Sequence, residues 1–345
     1  MRVLVTGASG YLGGAVASAL AARGDEVRTL QRRPSGVADA VDVLGDVTDP
    51  VRVRTAVDGV DAVVHLAAKV SLAGAVEDFD RINVGGTRVL LAEARAAGVR
   101  RVVHVSSPSV AHAGASLMGD LARPADPAQA HGLYARTKAE GELLALAGDA
   151  PDFAVVVVRP HLVWGPGDPQ LVARIVDRAK RRRLPLIGSG AALIDSTYID
   201  NAVSALVAAL DRADEVHGRA YVVTNGEPRP VAELLAGICI AGGAPVPSWT
   251  VPAPLARAAG SVVETVWRIR PGRDEPPMTR FLAEQLSTAH WFDQRRVREE
   301  LQWMPGVSID EGLVRLAAWS EGRRPVAPSA QHGSACHVER HPADP

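Results

Sequence analysis

The sequence predicts an α/β fold, a doubly wound parallel sheet with a smaller C-terminal subdomain. Three observations predict it. Short β-branched runs alternate with alanine-rich helical stretches up to Arg159-Pro160, a glycine cluster separates the first run from the first stretch, and the texture beyond Pro160 turns richer in proline and glycine. The strands read as continuous apolar runs, as expected where helices cover both faces of a parallel sheet.

In chain order, residues 2–6 (RVLVT) form the first strand and 11–22 (YLGGAVASALAA) the first helix, which stops before Gly24. Strands follow at 26–30 and 41–44, then a short helix at 51–58 and a strand at 60–66 (VDAVVHL). A long helix is predicted over 77–97, a strand over 101–106, a helix over 132–147 and a strand over 154–159 (AVVVVR). Farther on, helices are expected at 169–182, 200–212, 231–241 and 279–288, and 219–223 (RAYVV) reads as a strand returning to the main sheet or its edge. The alanine- and proline-rich segment 249–271 carries an amphipathic stretch at 255–269. It reads first as core packing, and otherwise as the lining of a lipophilic pocket or a membrane-surface helix.

Composition excludes several classes. Across 345 residues, 38 Lys+Arg stand against 39 Asp+Glu, a net charge of −1, so nothing draws the chain to nucleic acid. Hydrophobic residues at 47% and charged residues at 22% are those of a packed protein. Two cysteines, Cys239 and Cys336, cannot build a disulfide framework or a zinc ribbon. No signal segment or transmembrane run is visible, so a cytoplasmic protein with at most peripheral membrane contact is expected. In the polar stretch 323–345, read as a disordered tail, His332, Cys336, His337 and His341 have ligand-like spacing without a scaffold, and no metal site is expected.

Gly7-Ala8-Ser9-Gly10-Tyr11-Leu12-Gly13 lies between the first strand and the first helix, where a dinucleotide pyrophosphate meets backbone N–H groups and a helix dipole. This marks the sheet as Rossmann-type. The second strand ends in Gln31-Arg32-Arg33, two guanidinium groups where a carboxylate would bind a ribose 2′-hydroxyl, which favours NADP(H) over NAD(H). Asp46-Val47, after the third strand, suits the adenine, while a helix cap is the competing role for Asp46 or Thr48. Leu66-Ala67-Ala68-Lys69 ends the fourth strand beside the expected cofactor, and His65 before it reads equally as a structural histidine. Tyr134 and Lys138 share a helix face at i and i+4, a spacing that lets the ammonium lower the phenol pKa toward neutrality and make it a proton donor to a substrate carbonyl. Ser106-Ser107 ends the preceding strand and supplies hydroxyls for the same oxygen. A serine hydrolase is excluded, because VSSPS is not a nucleophile elbow.

The TGxxGxxG opening, the strand ending in Ser106-Ser107 and Tyr134-x-x-x-Lys138 resemble the extended short-chain dehydrogenase/reductases, in their 3β-hydroxysteroid dehydrogenase branch. The likeness continues through Arg159–Asp168, Asp195–Asn201, Asn225–Pro228 and Glu275–Phe281, and is greatest to members that reduce long-chain 2-alkyl-3-oxo acids in bacterial olefin biosynthesis. It implies a Ser–Tyr–Lys site in which Ser107 rather than Ser106 or Ser109 is the catalytic hydroxyl, and in which Tyr134, Lys138 and Pro160 also contact the cofactor. It further implies a lipid-like small-molecule substrate, a homodimer through 77–97 and 132–147, and partner enzymes of the same pathway. Residues 1–160 are then the NADP-binding core and 161–322 the substrate-binding part. A 3β-hydroxysteroid or sterol-4-carboxylate dehydrogenase is the alternative, and a non-catalytic NADP sensor would lack the tyrosine or the lysine. Asn83 matches a family position near the site, with helix packing as its plainer role. Ala111-His112 departs from the usual aromatic-glycine pair. The basic run Lys180–Arg183 reads as a solvated helix end or an attractor of an anionic acyl group.

Overall fold

The computed structural model describes residues 1–71, 74–111, 114–269 and 279–322. The tail from Arg323, with His332, Cys336, His337 and His341, lies outside the described residues, as do His112 and the Glu275–Met278 part of the last motif.

Seven parallel strands form the central sheet. They are β1 (Arg2–Thr6), β2 (Glu26–Gln31), β3 (Ala40–Leu44), β4 (Ala62–His65), β5 (Arg101–Val105), β7 (Ala154–Pro160) and the strand Arg219–Val223; β6 (Leu117–Asp120) belongs elsewhere. From one edge the order is Arg219–Val223, β7, β5, β4, β1, β2, β3, so the winding reverses between β1 and β4. Ligands of such sheets bind at that reversal, beyond the carboxyl ends of the strands. The expectation that 219–223 returns to the sheet edge holds: Tyr221 lies opposite Val158 of β7.

Alternation within each strand divides the core in two. Val3 and Val5 join Val16 and Leu20 of α1 (Tyr11–Ala22) and Leu206 of the helix Ile199–Asp211 on one face. Leu4, Val63 and Val102 face Val53 of α2 (Pro50–Val57), Leu90 of α4 (Thr87–Ala96) and Ala145 of α5 (Leu133–Ala147) on the other.

The long helix expected at 77–97 is three pieces. α3 (Val76–Phe79) passes into a π-helical stretch, Asp80–Gly86, before α4 resumes. Close packing accompanies the wide turn: a Cβ on Gly86 would stand 2.6 Å from Val47 Cγ1, and one on Gly141 of α5 would stand 2.8 Å from the Asn83 carbonyl oxygen. π-bulges are common where a helix side chain is re-aimed at a functional site. Periodicity alone cannot show one, since Asp80–Gly86 contains no helix breaker apart from its two terminal glycines.

A smaller sheet runs Arg229–Pro230, Leu193–Ile194, His290–Phe292, β6. One of its strands therefore comes from within the first 160 residues. β6 spans four residues, LMGD, too short and mixed to register as a strand. The helix Ile309–Ser320 was also not anticipated, although Ser308 caps it by accepting from the Glu311 amide and Ser-x-x-Glu is a legible start signal. The motif residues Asn201 and Asn225 do structural work here: Asn201 accepts from the Gly306 and Val307 amides, and both asparagines donate to the Val307 carbonyl.

One buried ion pair fastens α5 to the sheet. Arg159 of β7 is 1% exposed and Glu142 of α5 is fully buried; Nε donates to Oε2 at 2.9 Å, Nη2 to Oε1, and Nη1 to the Arg123 carbonyl at 2.8 Å. Removing one partner strands the other charge without water. Glu142→Gln should therefore cost about 3–5 kcal/mol in urea unfolding, and the double variant Glu142→Gln/Arg159→Met should regain most of that loss.

Candidate active site

The carboxyl ends of the strands open on a cavity of about 790 Å³. At one end lies the turn after β1, with Gly7, Ser9, Gly10, Tyr11, Leu12 and Gly13 in its wall. Gly7 has φ +76°, and a Cβ there would stand 2.9 Å from the Ala67 amide nitrogen. A Cβ on Gly13 would come 2.3 Å from the Gly7 carbonyl oxygen, so the helix and the turn touch backbone to backbone. Gly10, the residue before α1, offers no side-chain cap, which leaves the first-turn N–H groups to a ligand.

Arg32, Arg33, Asp46 and Val47 line the cavity wall beyond β2 and β3. Asp46 accepts from the Thr48 amide at 3.0 Å and hydroxyl at 2.8 Å, and it is Asp49, not Asp46 or Thr48, that caps α2. Leu66, Ala67, Ala68, Lys69 and Pro160 line the middle, and Ser107, Tyr134 and Lys138 share the same wall. The structure thus brings every expected site residue to one cavity. Asp168, Gln170 and Leu171 also border it and were not anticipated. Asp168 accepts from the Gln170, Leu171 and Val172 amides and so opens the helix Leu171–Lys180. The Gly165-Pro166-Gly167-Asp168 turn is the signal that could have found it.

A buried polar chain fixes the loops relative to one another. Thr6 Oγ1 accepts from the Leu66 and Ala67 amides, both at 3.1 Å, so its single hydrogen goes to His65 Nδ1 at 2.7 Å. His65 Nε2 must then carry the proton, donating to Thr87 Oγ1 at 3.1 Å, which donates to the Asn83 carbonyl at 2.7 Å. Burial holds the His65 pKa down near about 3, with the Lys138 charge adding to it, so the ring is neutral, the structural histidine weighed above. Asn83 Oδ1 accepts from the Lys69 amide at 2.7 Å and its Nδ2 donates to Thr137 Oγ1 at 3.0 Å, joining the cavity-lining loop to α5.

On α5, Tyr134 and Lys138 face the end of β5. Ser107 stands beside the Tyr134 phenol and receives the Ser109 hydroxyl at 2.9 Å. The expectation that lysine draws the tyrosine pKa toward neutrality is not met. Burial pushes Tyr134 up to about 12, only partly countered by Ser107. Lys138 Nζ donates instead to the Val105 carbonyl at 2.6 Å, and burial brings its pKa down to about 8, against the pull of Glu142. The phenol is thus held in its acid form at neutral pH.

These residues fit a nicotinamide dinucleotide: a backbone cradle that a Cβ would fill, and a cavity of the volume typical of cofactor sites with Arg32 and Arg33 in its wall. Gly13→Ala is expected to weaken NAD(P)H binding at least about tenfold, because its methyl would force the turn off the helix end. Fluorescence titration measures this, with thermal unfolding run beside it to exclude collapse.

The model of the NAD dependent epimerase/dehydratase family matches residues 3–224. The chain is 40% identical over 328 residues to the 2-alkyl-3-oxoalkanoate reductase of Stenotrophomonas maltophilia, covering 93% of this chain and 99% of that protein. It is 29% identical to a 3 beta-hydroxysteroid dehydrogenase/Delta 5→4-isomerase of Mycobacterium tuberculosis, covering 91% and 88%. Among solved structures, MoeE5 in complex with UDP-glucose and NAD superposes with a TM-score of 0.71 at 25% identity, over 93% of this chain and 99% of that one. No helix among the described residues is long and apolar enough to cross a membrane. The sheet order, the glycine turn and these likenesses together place the chain in the NAD-dependent epimerase/dehydratase family, within the extended short-chain dehydrogenase/reductases, as an NAD(P)-dependent oxidoreductase.

Proposed function

We propose that this protein reduces a long-chain 2-alkyl-3-oxo acid to the 3-hydroxy acid with NADPH, through Ser107, Tyr134 and Lys138. The observation that carries the reading is the placement of Ser107, Tyr134 and Lys138 together on the wall of a dinucleotide-sized cavity. Whole-length similarity to a 2-alkyl-3-oxoalkanoate reductase supports the substrate class. When bound, the cofactor supplies hydride to the ketone carbon. Ser107 orients the ketone oxygen, Tyr134 gives it the proton as negative charge develops there, and Lys138 holds the ribose hydroxyls and the electrostatic balance of the phenol. Arg32 and Arg33 receive the 2′-phosphate. Residues 161–322 supply the acyl-side wall, beginning with Leu162 and Val163. Olefin-pathway partner enzymes and a homodimer through α4 and α5 belong to the same reading.

Turnover of a 2-alkyl-3-oxo acid with NADPH, followed at 340 nm beside a 3β-hydroxysteroid with NADP⁺ and NAD⁺, tests it. Activity on the steroid alone would assign the protein to the dehydrogenase alternative. Tyr134→Phe should lower kcat about 10²–10⁴-fold while leaving NADPH affinity nearly unchanged. Arg32→Ala/Arg33→Ala should raise the KM for NADPH by about ten- to a hundredfold and leave that for NADH in place. For pH, Lys138 loses its proton as pH rises through about 8, whereas Tyr134 stays a donor until about 12. Ketone reduction should therefore decline above about pH 8, and Lys138→Arg should move that limb upward in a kcat/KM profile.

A further inference from the structure

Two segments distant in sequence lie side by side in the fold. The basic run Lys180-Arg181-Arg182-Arg183 closes the helix Leu171–Lys180 and leads into the strand Leu186–Ile187. That strand pairs in parallel with Thr250–Val251, and the Leu186 amide donates to the Trp249 carbonyl at 3.0 Å. All four cationic side chains are exposed, with Arg181 reaching Asp177. The same corner shows apolar groups to water. A Cβ on Gly242 would stand 2.3 Å from Val176 Cγ2, so the end of the helix Val231–Ala241 backs onto Leu171–Lys180, near exposed Ile240, Val246 and Trp249.

The helix Ala253–Ile269 follows directly. Its Gly260 side is sealed against Thr279 and Arg280, while Leu255 and Val262, seven residues apart on one face, are 60% and 63% exposed and Val266 is 49% exposed. The amphipathic stretch noted in the sequence therefore turns much of its apolar face outward. Residues 178–194 and 234–263 contain no Asp or Glu, and the carboxylates that flank them, Asp177 and Glu264, are engaged by Arg181 and by the Arg280 amide. A chain with a net charge of −1 thus carries one corner in which the exposed cations Lys180, Arg181, Arg182 and Arg183 outnumber their one carboxylate, Asp177, beside exposed apolar side chains.

We propose that this corner docks the protein on an anionic lipid bilayer. Leu255, Val262, Val266 and Trp249 enter the headgroup boundary, and Lys180, Arg182 and Arg183 extend their aliphatic stems along it to reach lipid phosphates. A run of one sign with no carboxylate among it suits a layer of headgroups rather than a shaped protein partner, whose rim would match charges pair by pair. The inference is independent of the substrate assigned above.

The full chain is tested by co-sedimentation with vesicles of phosphatidylcholine alone and with about one third phosphatidylglycerol. Binding is expected to the anionic vesicles only and to fall as salt rises. Arg181→Glu/Arg182→Glu/Arg183→Glu should weaken partitioning on the order of a hundredfold or more. Leu255→Ser/Val262→Ser should weaken it with the charge unchanged. Because none of these side chains lines the cavity, ketone turnover and thermal unfolding serve as fold controls. Equal binding to both vesicle types, no binding, or binding indifferent to both variants would overturn the proposal. A variant-sensitive shift from dimer to monomer in sedimentation velocity, with no vesicle binding, would assign the surface to a second copy instead.

Discussion

The site depends on how α5 is held against the sheet. Glu142 and Arg159 are both removed from water, and their bidentate pairing anchors the middle of that helix to β7. One turn earlier, Lys138 is tied to the Val105 carbonyl at the end of β5, and one further turn back Tyr134 meets Ser107. Three contacts along one helix face thus set the position of the Tyr134 phenol. Loosening the buried pair would move all of them, since a helix shifts as a rigid body.

Burial at this helix is also what sets the chemistry. The surroundings that hide Tyr134 raise its pKa and those that hide Lys138 lower its own, because each environment disfavours the charged form. A neutral phenol near neutral pH can donate a hydrogen bond or a proton. Nearby, His65 and His104 are buried with their pKa values depressed, so the Lys138 ammonium has neutral rings as neighbours rather than competing cations. The Leu66 and Ala67 amides, which can only donate, and the Asn83 carbonyl, which can only accept, fix the direction of the hydrogen bonds that run between them through the neutral His65 ring.

Legibility in the sequence followed the range of the interactions. The glycine turn, Arg32-Arg33 and Tyr134-x-x-x-Lys138 are local patterns whose spacing states their geometry, and the structure places them on one cavity. The π-helical stretch at Asp80–Gly86, the excursion of β6 into the smaller sheet and the entry of Asp168 into the cavity wall arise from contacts between distant segments. The helix at Ile309–Ser320 is a different case: its start signal, Ser308-x-x-Glu311, is local and stands in the sequence.

By itself the sequence determined the strand and helix alternation, the dinucleotide turn and the residue types available for hydride chemistry, because these depend on backbone sterics and on spacing along one element. Only the tertiary structure decided the burial that shifts Tyr134 and Lys138, the tautomer of His65 and the pairing of Leu186–Ile187 with Thr250–Val251 that brings the basic run and the amphipathic helix to one corner. Those properties are set by desolvation and by neighbours remote in the chain, and burial is a property of the packed molecule rather than of any segment of it.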